Sequence, residues 1–354
     1  MRDVPDRVPD EVLDDLRRRL RDRRRVPVVG TGWARGVDPA YLDDLLRYWA
    51  DEYDWRAAED RIRAMPWTRA GGLRLVHQRA AADDAPVLVL LHGWPDSVLR
   101  FERVLPLLRD VHVVVPALPG YPFSDSPGTA GALMAEPIAA AMAELGHDRY
   151  TVSGGDIGTS VAEALARLVP EHVAALHLTD VPSRALALIP EPEHSAGERA
   201  FAEEVRGWTD AEGAYLHEQS TKPATLAVGL GDSPAGLAAW IVEKLRSWSD
   251  CDGDVETAFP RDDLLTWVTL YWVTGAIGTS FAPYAERLPP VPERVRAPLA
   301  VTLFPSDLLH APRELAERTF DVRVWDEQPS GGHFAAWERP EAFAAAVRAA
   351  IALA

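Results

Sequence analysis

Apolar runs in APVLVLLHGWP and VHVVVPALPG continue for the length of a strand without polar alternation, and RYTVSGG and VAALHLTD read as a third and a fourth strand of the same kind. A strand with one wet face alternates. A continuous run needs both faces covered, as in a parallel sheet packed between helices. Helix-patterned stretches separate the runs (VLRFERVLPLLRD, EPIAAAMAELGH and IGTSVAEALARLVP), and the strand-like GLRLVHQRA precedes them. The alternation predicts an α/β fold: a mostly parallel central sheet with helices on both faces. It stops after Asp180, where a Trp-rich, helix-like segment begins, and resumes with APLAVTLFPSD, TFDVRVWDEQ and the amphipathic PEAFAAAVRAAIALA. The predicted divisions are an N-terminal helical extension over 1–84, a core over 85–181 and 291–354, and an inserted helical cap over 182–290.

In the extension, Val12, Leu13, Leu16 and Leu20 recur at helical spacing, as do Leu42, Leu45, Leu46 and Trp49 behind an Asp38-Pro39 start signal. The formal charge of -17 argues against a nucleic-acid or anionic-membrane partner. The basic run RRRLRDRRR, Arg17 to Arg25, falls on the first of these helices and reads as a solvated face. A single cysteine, Cys251, excludes an internal disulfide framework and fits a reducing compartment. No apolar run approaches the ~20 residues of a membrane span, and the first residues lack the apolar core of a signal peptide. A cytoplasmic protein is expected. SDCDGDVE resembles a calcium loop, but Val255 and Arg261 stand where that loop needs Gly and Glu. No phosphate-binding glycine loop is present, so no cofactor or metal is expected.

TVSGGDIGTS, Thr151 to Ser160, places Asp156 between small residues where a strand meets a helix. This is the nucleophile-elbow pattern with an aspartate as nucleophile; the plain alternative is an Asp that only caps the helix. Asp307 ends a strand in TLFPSD, and His333 lies in the glycine turn GGHF before the last helix. Nucleophile, acid, histidine is the chain order of the α/β-hydrolase fold. Asp180 is the rival for the acid, and His310, Asp326 and Glu327 read as structural or surface groups. LLHGWPDS offers the Trp94 backbone N–H, which with that of Ile157 would form an oxyanion hole. Pro95 removes a competing donor and is a candidate for a cis bond.

The choice of Asp over Ser carries chemical meaning. A serine alkoxide suits acyl transfer, whereas a carboxylate displaces a leaving group at saturated carbon and becomes an alkyl ester. Water activated by His333 can then attack that ester at the enzyme's own carbonyl. The pattern therefore selects epoxide opening or halide displacement over ester and amide hydrolysis.

These residues resemble the microsomal-type epoxide hydrolases of the α/β-hydrolase fold along nearly the whole chain. Besides the motifs above, the likeness includes VPDEVLDDLRRRL, GYPFSDSP, KPATLAVGLGDSPAGLAAWIVEKLRSWSD, LYWVTGAIGTSFAPY and FPSDLLHAP. The resemblance implies two cap tyrosines that donate hydrogen bonds to the epoxide oxygen. It places Tyr284 as one, the principal general acid, and Trp240 where the second often stands, as a substrate-binding group beside Pro95. Tyr215 and Tyr271 are read as packing aromatics. Ile157 departs from the aromatic residue frequent after the nucleophile. The chain also looks similar to soluble bacterial members of secondary-metabolite pathways, the enediyne type among them, and no counterpart of the mammalian membrane anchor is expected. The implied partners are a small epoxide, bulky and apolar or aromatic, and water. Oligomeric state is left open between monomer and homodimer. Two competing readings are a haloalkane dehalogenase, which would use a Trp beside the nucleophile, and a binding protein on the same fold.

Overall fold

The computed structural model describes residues 3–286 and 293–354. Its centre is an eight-stranded sheet in the order β1-β2-β4-β3-β5-β6-β7-β8. The strands are β1 (Trp67–Ala70), β2 (Leu73–Gln78), β3 (Val87–Leu91), β4 (His112–Pro116), β5 (Tyr150–Gly154), β6 (Val173–Leu178), β7 (Pro298–Leu303) and β8 (Asp321–Glu327). β1 and β2 pair antiparallel, as do β2 and β4; every pairing from β4 to β8 is parallel. The continuous apolar runs are the central strands, with β4, β5 and β6 buried at every residue.

Before the sheet come α1 (Asp10–Arg21), α2 (Pro39–Asp51) and α3 (Trp55–Arg63). Leu13, Leu16 and Leu20 are the buried stripe of α1. Asp38 caps α2 as expected, its carboxylate accepting from the N–H groups of Ala40 (2.7 Å) and Tyr41 (3.1 Å). The basic run is neutralised locally: Arg17 pairs with Asp14, Arg18 and Arg19 with Asp15, Arg21 with Asp51, and Arg23 with Asp43. That is the solvated face expected of it.

The strand read in GLRLVHQRA is β2, and with β1 it continues the central sheet from its β4 edge, so the 1–84 extension is helical only in its first part. One expectation needs correction. The segment after HGWP forms only two short 3-10 turns, Val98–Phe101 and Leu105–Leu107, instead of a helix. Its apolar residues are buried almost all round, and Pro106 interrupts the helical hydrogen-bond ladder.

The sheet is flanked by α4 (Ala135–Glu144) and α5 (Ile157–Leu168) and, later in the chain, by α13 (Arg313–Thr319), α14 (Ala335–Glu338) and α15 (Pro340–Ile351). After β6 the chain leaves the sheet for α6 (Ala196–Glu212), α7 (Ala214–Thr221), α8 (Pro223–Asp232), α9 (Pro234–Ser247), α10 (Val255–Ala258), α11 (Arg261–Thr274) and α12 (Ala282–Ala285). This is the interruption read from the sequence; its boundary at 290 lies outside the described residues. Among the described residues no single helix is long and apolar enough to cross a membrane. The bent pair α8 and α9 passes that test only jointly, with an angle of 115° between its halves.

Candidate active site

The turn from β5 into α5 forces Asp156 to φ 58° and ψ -126°, a region that side chains other than glycine rarely occupy. Close packing fixes the turn. A Cβ on Gly158 would lie 2.3 Å from the Leu91 carbonyl oxygen, and one on Gly93 would lie 2.3 Å from the Asp156 Oδ1. Only glycine at both positions lets α5 and the HGWP turn approach Asp156 so closely. Asp156 makes no side-chain cap to its helix, so simple capping does not describe it.

The Asp156 carboxylate is divided between two partners. Its Oδ1 accepts the Trp94 N–H at 2.8 Å, and the Ile157 N–H also favours the charged carboxylate. Its Oδ2 lies 3.6 Å from His333 Nε2, too long for a hydrogen bond. On the other side of the imidazole, His333 Nδ1 meets Asp307 Oδ1 at 2.7 Å. Asp307 also accepts the Leu308 N–H at 2.7 Å. The structure thus brings Asp156, His333, Asp307 and the two predicted N–H donors into one cluster. The Trp94-Pro95 bond is cis.

The charges of the cluster depend on one another. Burial pushes the Asp156 carboxyl up, and His333 with the Trp94 and Ile157 N–H groups offsets this only in part. Burial also opposes the His333 imidazolium, but Asp307 and then Asp156 outweigh it, and the imidazole is held above its ordinary range. For Asp307 burial is again outweighed, by the charge and hydrogen bond of His333, and its carboxyl falls below the usual range.

A cavity of about 480 Å³ opens over the cluster, lined by Asp156, His333, Asp307, Tyr215 and Tyr284 with Ile157, Trp208, Leu216 and Leu308 among its apolar walls. The Tyr284 hydroxyl is buried and has no hydrogen-bond partner, and the same is true of His333 Nε2. Buried polar atoms are normally paired, so two unpaired ones on one cavity mark groups kept for something that enters it. Burial raises Tyr284 well above the usual phenol range, and the Asp156 charge adds to this, so the phenol stays protonated. Among the described residues no group of three or more His, Cys, Asp or Glu side chains could hold a metal ion. Asp250 of SDCDGDVE instead accepts the Gly331 N–H (2.8 Å) and pairs with Arg339 (2.9 Å).

Comparison with known proteins places this geometry. Residues 1–101 match the family described as epoxide hydrolase N terminus, and residues 86–212 the family described as alpha/beta hydrolase fold. The silkworm Bombyx mori juvenile hormone epoxide hydrolase is 32% identical, over 97% of this chain and 84% of that protein. Rabbit (Oryctolagus cuniculus) epoxide hydrolase 1 is 31% identical, over 95% of this chain and 85% of its own. The Aspergillus niger epoxide hydrolase structure superposes with a TM-score of 0.87 at 31% identity, covering 98% of this chain and 94% of that one. The chain belongs to the epoxide hydrolase family.

Within this member of the epoxide hydrolase family, two expectations about the cap and one about the core require correction. Trp240 does not line the cavity; it is half-buried on α9, and its Nε1 donates to Gln219 Oε1 at 3.1 Å. Pro95 is buried next to Trp94 but is likewise not a cavity wall. Tyr215, read as packing, stands where Trp240 was expected. It lines the cavity, stacks on Trp94 with ring centroids 5.5 Å apart, and meets the Tyr284 ring at 6.1 Å. Tyr271 is structural, its hydroxyl donating to the Asp96 carbonyl at 2.9 Å. Asp180 does not reach for His333; its Oδ1 accepts the Asp156 N–H at 2.9 Å and the Thr159 hydroxyl, supporting the elbow from below. Burial raises its pKa to about 6. His310 bonds Glu204 and the Phe304 carbonyl, and Asp326 and Glu327 are exposed on β8.

Proposed function

We propose that the protein converts an epoxide to a vicinal diol through a covalent ester on Asp156. In the first step Asp156 Oδ2 bonds to an epoxide carbon and the C–O bond breaks. The departing oxygen takes its proton from a cap tyrosine, Tyr284 as principal acid with Tyr215 as the second donor. In the second step His333 Nε2 removes a proton from water as its oxygen attacks the ester carbon. The N–H groups of Trp94 and Ile157 then stabilise the charge on Oδ1. The tetrahedral intermediate collapses, the diol oxygen leaves with the proton held by His333, and the second proton of the water, left on the Asp156 carboxyl, is released to restore the tyrosine.

Two features make the sequence of steps self-timing. Esterification removes the Asp156 charge that helps hold the imidazolium, so His333 becomes a readier base when one is needed. The Trp94 N–H is already on Oδ1 before the tetrahedral charge develops there, so it costs no reorganisation in the second step. The observation that carries the proposal is the divided carboxylate, one oxygen held by the turn and the other facing the base across 3.6 Å. Apolar walls favour a bulky apolar or aromatic epoxide as substrate. The test is diol formation from styrene oxide set against halide release from a haloalkane. Halide release without diol would replace this reading by dehalogenation.

A further inference from the structure

Arg100 lies under the reacting groups with its side chain only 2% exposed, facing an Asp96 carboxylate that is 0% exposed. One Nη donates to Asp96 Oδ2 and the other to the main-chain carbonyl of His333. Asp96 also accepts the Gly93 N–H at 2.9 Å through Oδ1, which lies 3.4 Å from His92 Nδ1. Gly93 immediately precedes Trp94, the donor to the nucleophile. One guanidinium therefore ties the oxyanion turn to the loop that carries the base, with the Phe334 ring 5.7 Å from its central carbon. From the opposite side, Glu338 accepts the N–H groups of Gly332 (3.1 Å) and Phe334 (3.0 Å). A fully buried ion pair is a poor source of stability compared with apolar packing, so its use must be sought in what it holds in place.

We propose that Arg100 is a positioning residue for the hydrolytic half-reaction: its two-way bridge fixes the His333 imidazole over the Asp156 ester. The inference rests on the two-step reading above. It predicts an asymmetry, because forming the ester needs Asp156 and the cap tyrosines, whereas cleaving it needs the base in place.

Two variants test it. Arg100→Lys keeps the cation but offers one ammonium where two separated N–H groups are required. Asp96→Asn/Arg100→Gln replaces the ion pair with an amide pair and leaves no buried charge unpaired. Ester formation and decay would be followed separately with styrene oxide by rapid quench and intact mass. In each folded variant decay should slow by roughly 10- to 100-fold, the scale of a displaced catalytic group. Formation should stay within about threefold of the parent, so that ester accumulates at steady state. Parental decay in either folded variant, or equal slowing of both steps, overturns the proposal. So does failure of both variants to fold, which would assign the pair to stability. A His333→Gln protein that forms no ester with any epoxide would instead overturn the two-step reading itself.

Discussion

Replacing Tyr284 with Phe separates the two energies the site holds in opposition. The ring is 4% exposed and no protein atom accepts from its hydroxyl, so the hydrogen bond of this donor is left to whatever enters the cavity. Such a group costs about 1–3 kcal/mol, which the phenylalanine recovers. With an unfolding entropy of about 2.1 cal/mol/K per residue, 354 residues correspond to about 1.3 °C per kcal/mol. Tyr284→Phe should therefore melt about 1–4 °C higher than the parent. Its ester-forming step should lose a donor worth about 2.7–4 kcal/mol, or roughly 10²- to 10³-fold in rate. Because burial holds the phenol protonated, the loss should be the same across neutral and mildly alkaline pH. Scanning calorimetry and single-turnover ester formation from styrene oxide measure the two quantities. A lower melting temperature would show that the hydroxyl is paired in the folded protein. A formation rate near the parent's would remove Tyr284 from the reaction.

Other outcomes follow from the same geometry. Tyr215→Phe should slow ester formation on the scale of Tyr284→Phe, while Trp240→Phe, outside the cavity, should stay within about threefold of the parent in single-turnover assays. His333→Gln should stop at the ester, seen as a mass increase equal to the epoxide, and Asp156→Ala should form neither ester nor diol. Asp180 is protonated in the native state up to about pH 6 but only to its ordinary 3.8 when unfolded. The native state therefore holds the extra proton in this window, and stability is lost as pH rises from about 4 to about 6, by about 3 kcal/mol in all. Asp180→Asn keeps an acceptor for the Asp156 N–H and removes the titration. Its stability relative to the parent should grow over that window in urea unfolding, and parallel curves for the two proteins would refute the assignment.

The strands were legible because burial on both faces removes the regular apolar-polar alternation of a half-wet sheet; the few polar residues of β4, β5 and β6 are themselves buried, as in the Ser153–His177 hydrogen bond between β5 and β6. The elbow was legible for a local steric reason, since a residue at positive φ in so tight a turn tolerates only small neighbours. Asp307 and His333 could be named because each sits at the end of a recognisable element, and strand ends in such sheets converge on one crevice.

The cap was not legible in this way. Trp240 and Tyr215 both lie on helices of mixed pattern, and which side chain reaches the cavity depends on how each helix is rotated against the sheet. On α9 the core takes Leu237, Ala238, Ile241, Val242 and Leu245, leaving Trp240 off that face. Arg100 lies in the helix-patterned VLRFERVLPLLRD, and only the fold of the HGWP segment sets it beneath His333. Asp180 was read as a rival for the histidine because it ends a strand, yet the direction of its carboxylate is fixed by the Asp156 N–H and Thr159. Patterns that arise from burial and steric exclusion are written along the chain, and so the sheet, the elbow and the chain order of Asp156, Asp307 and His333 were determined there. Contacts between segments far apart in the chain have no local signature, and so the second tyrosine, the buried ion pair and the elbow's supporting acid were decided only by tertiary packing.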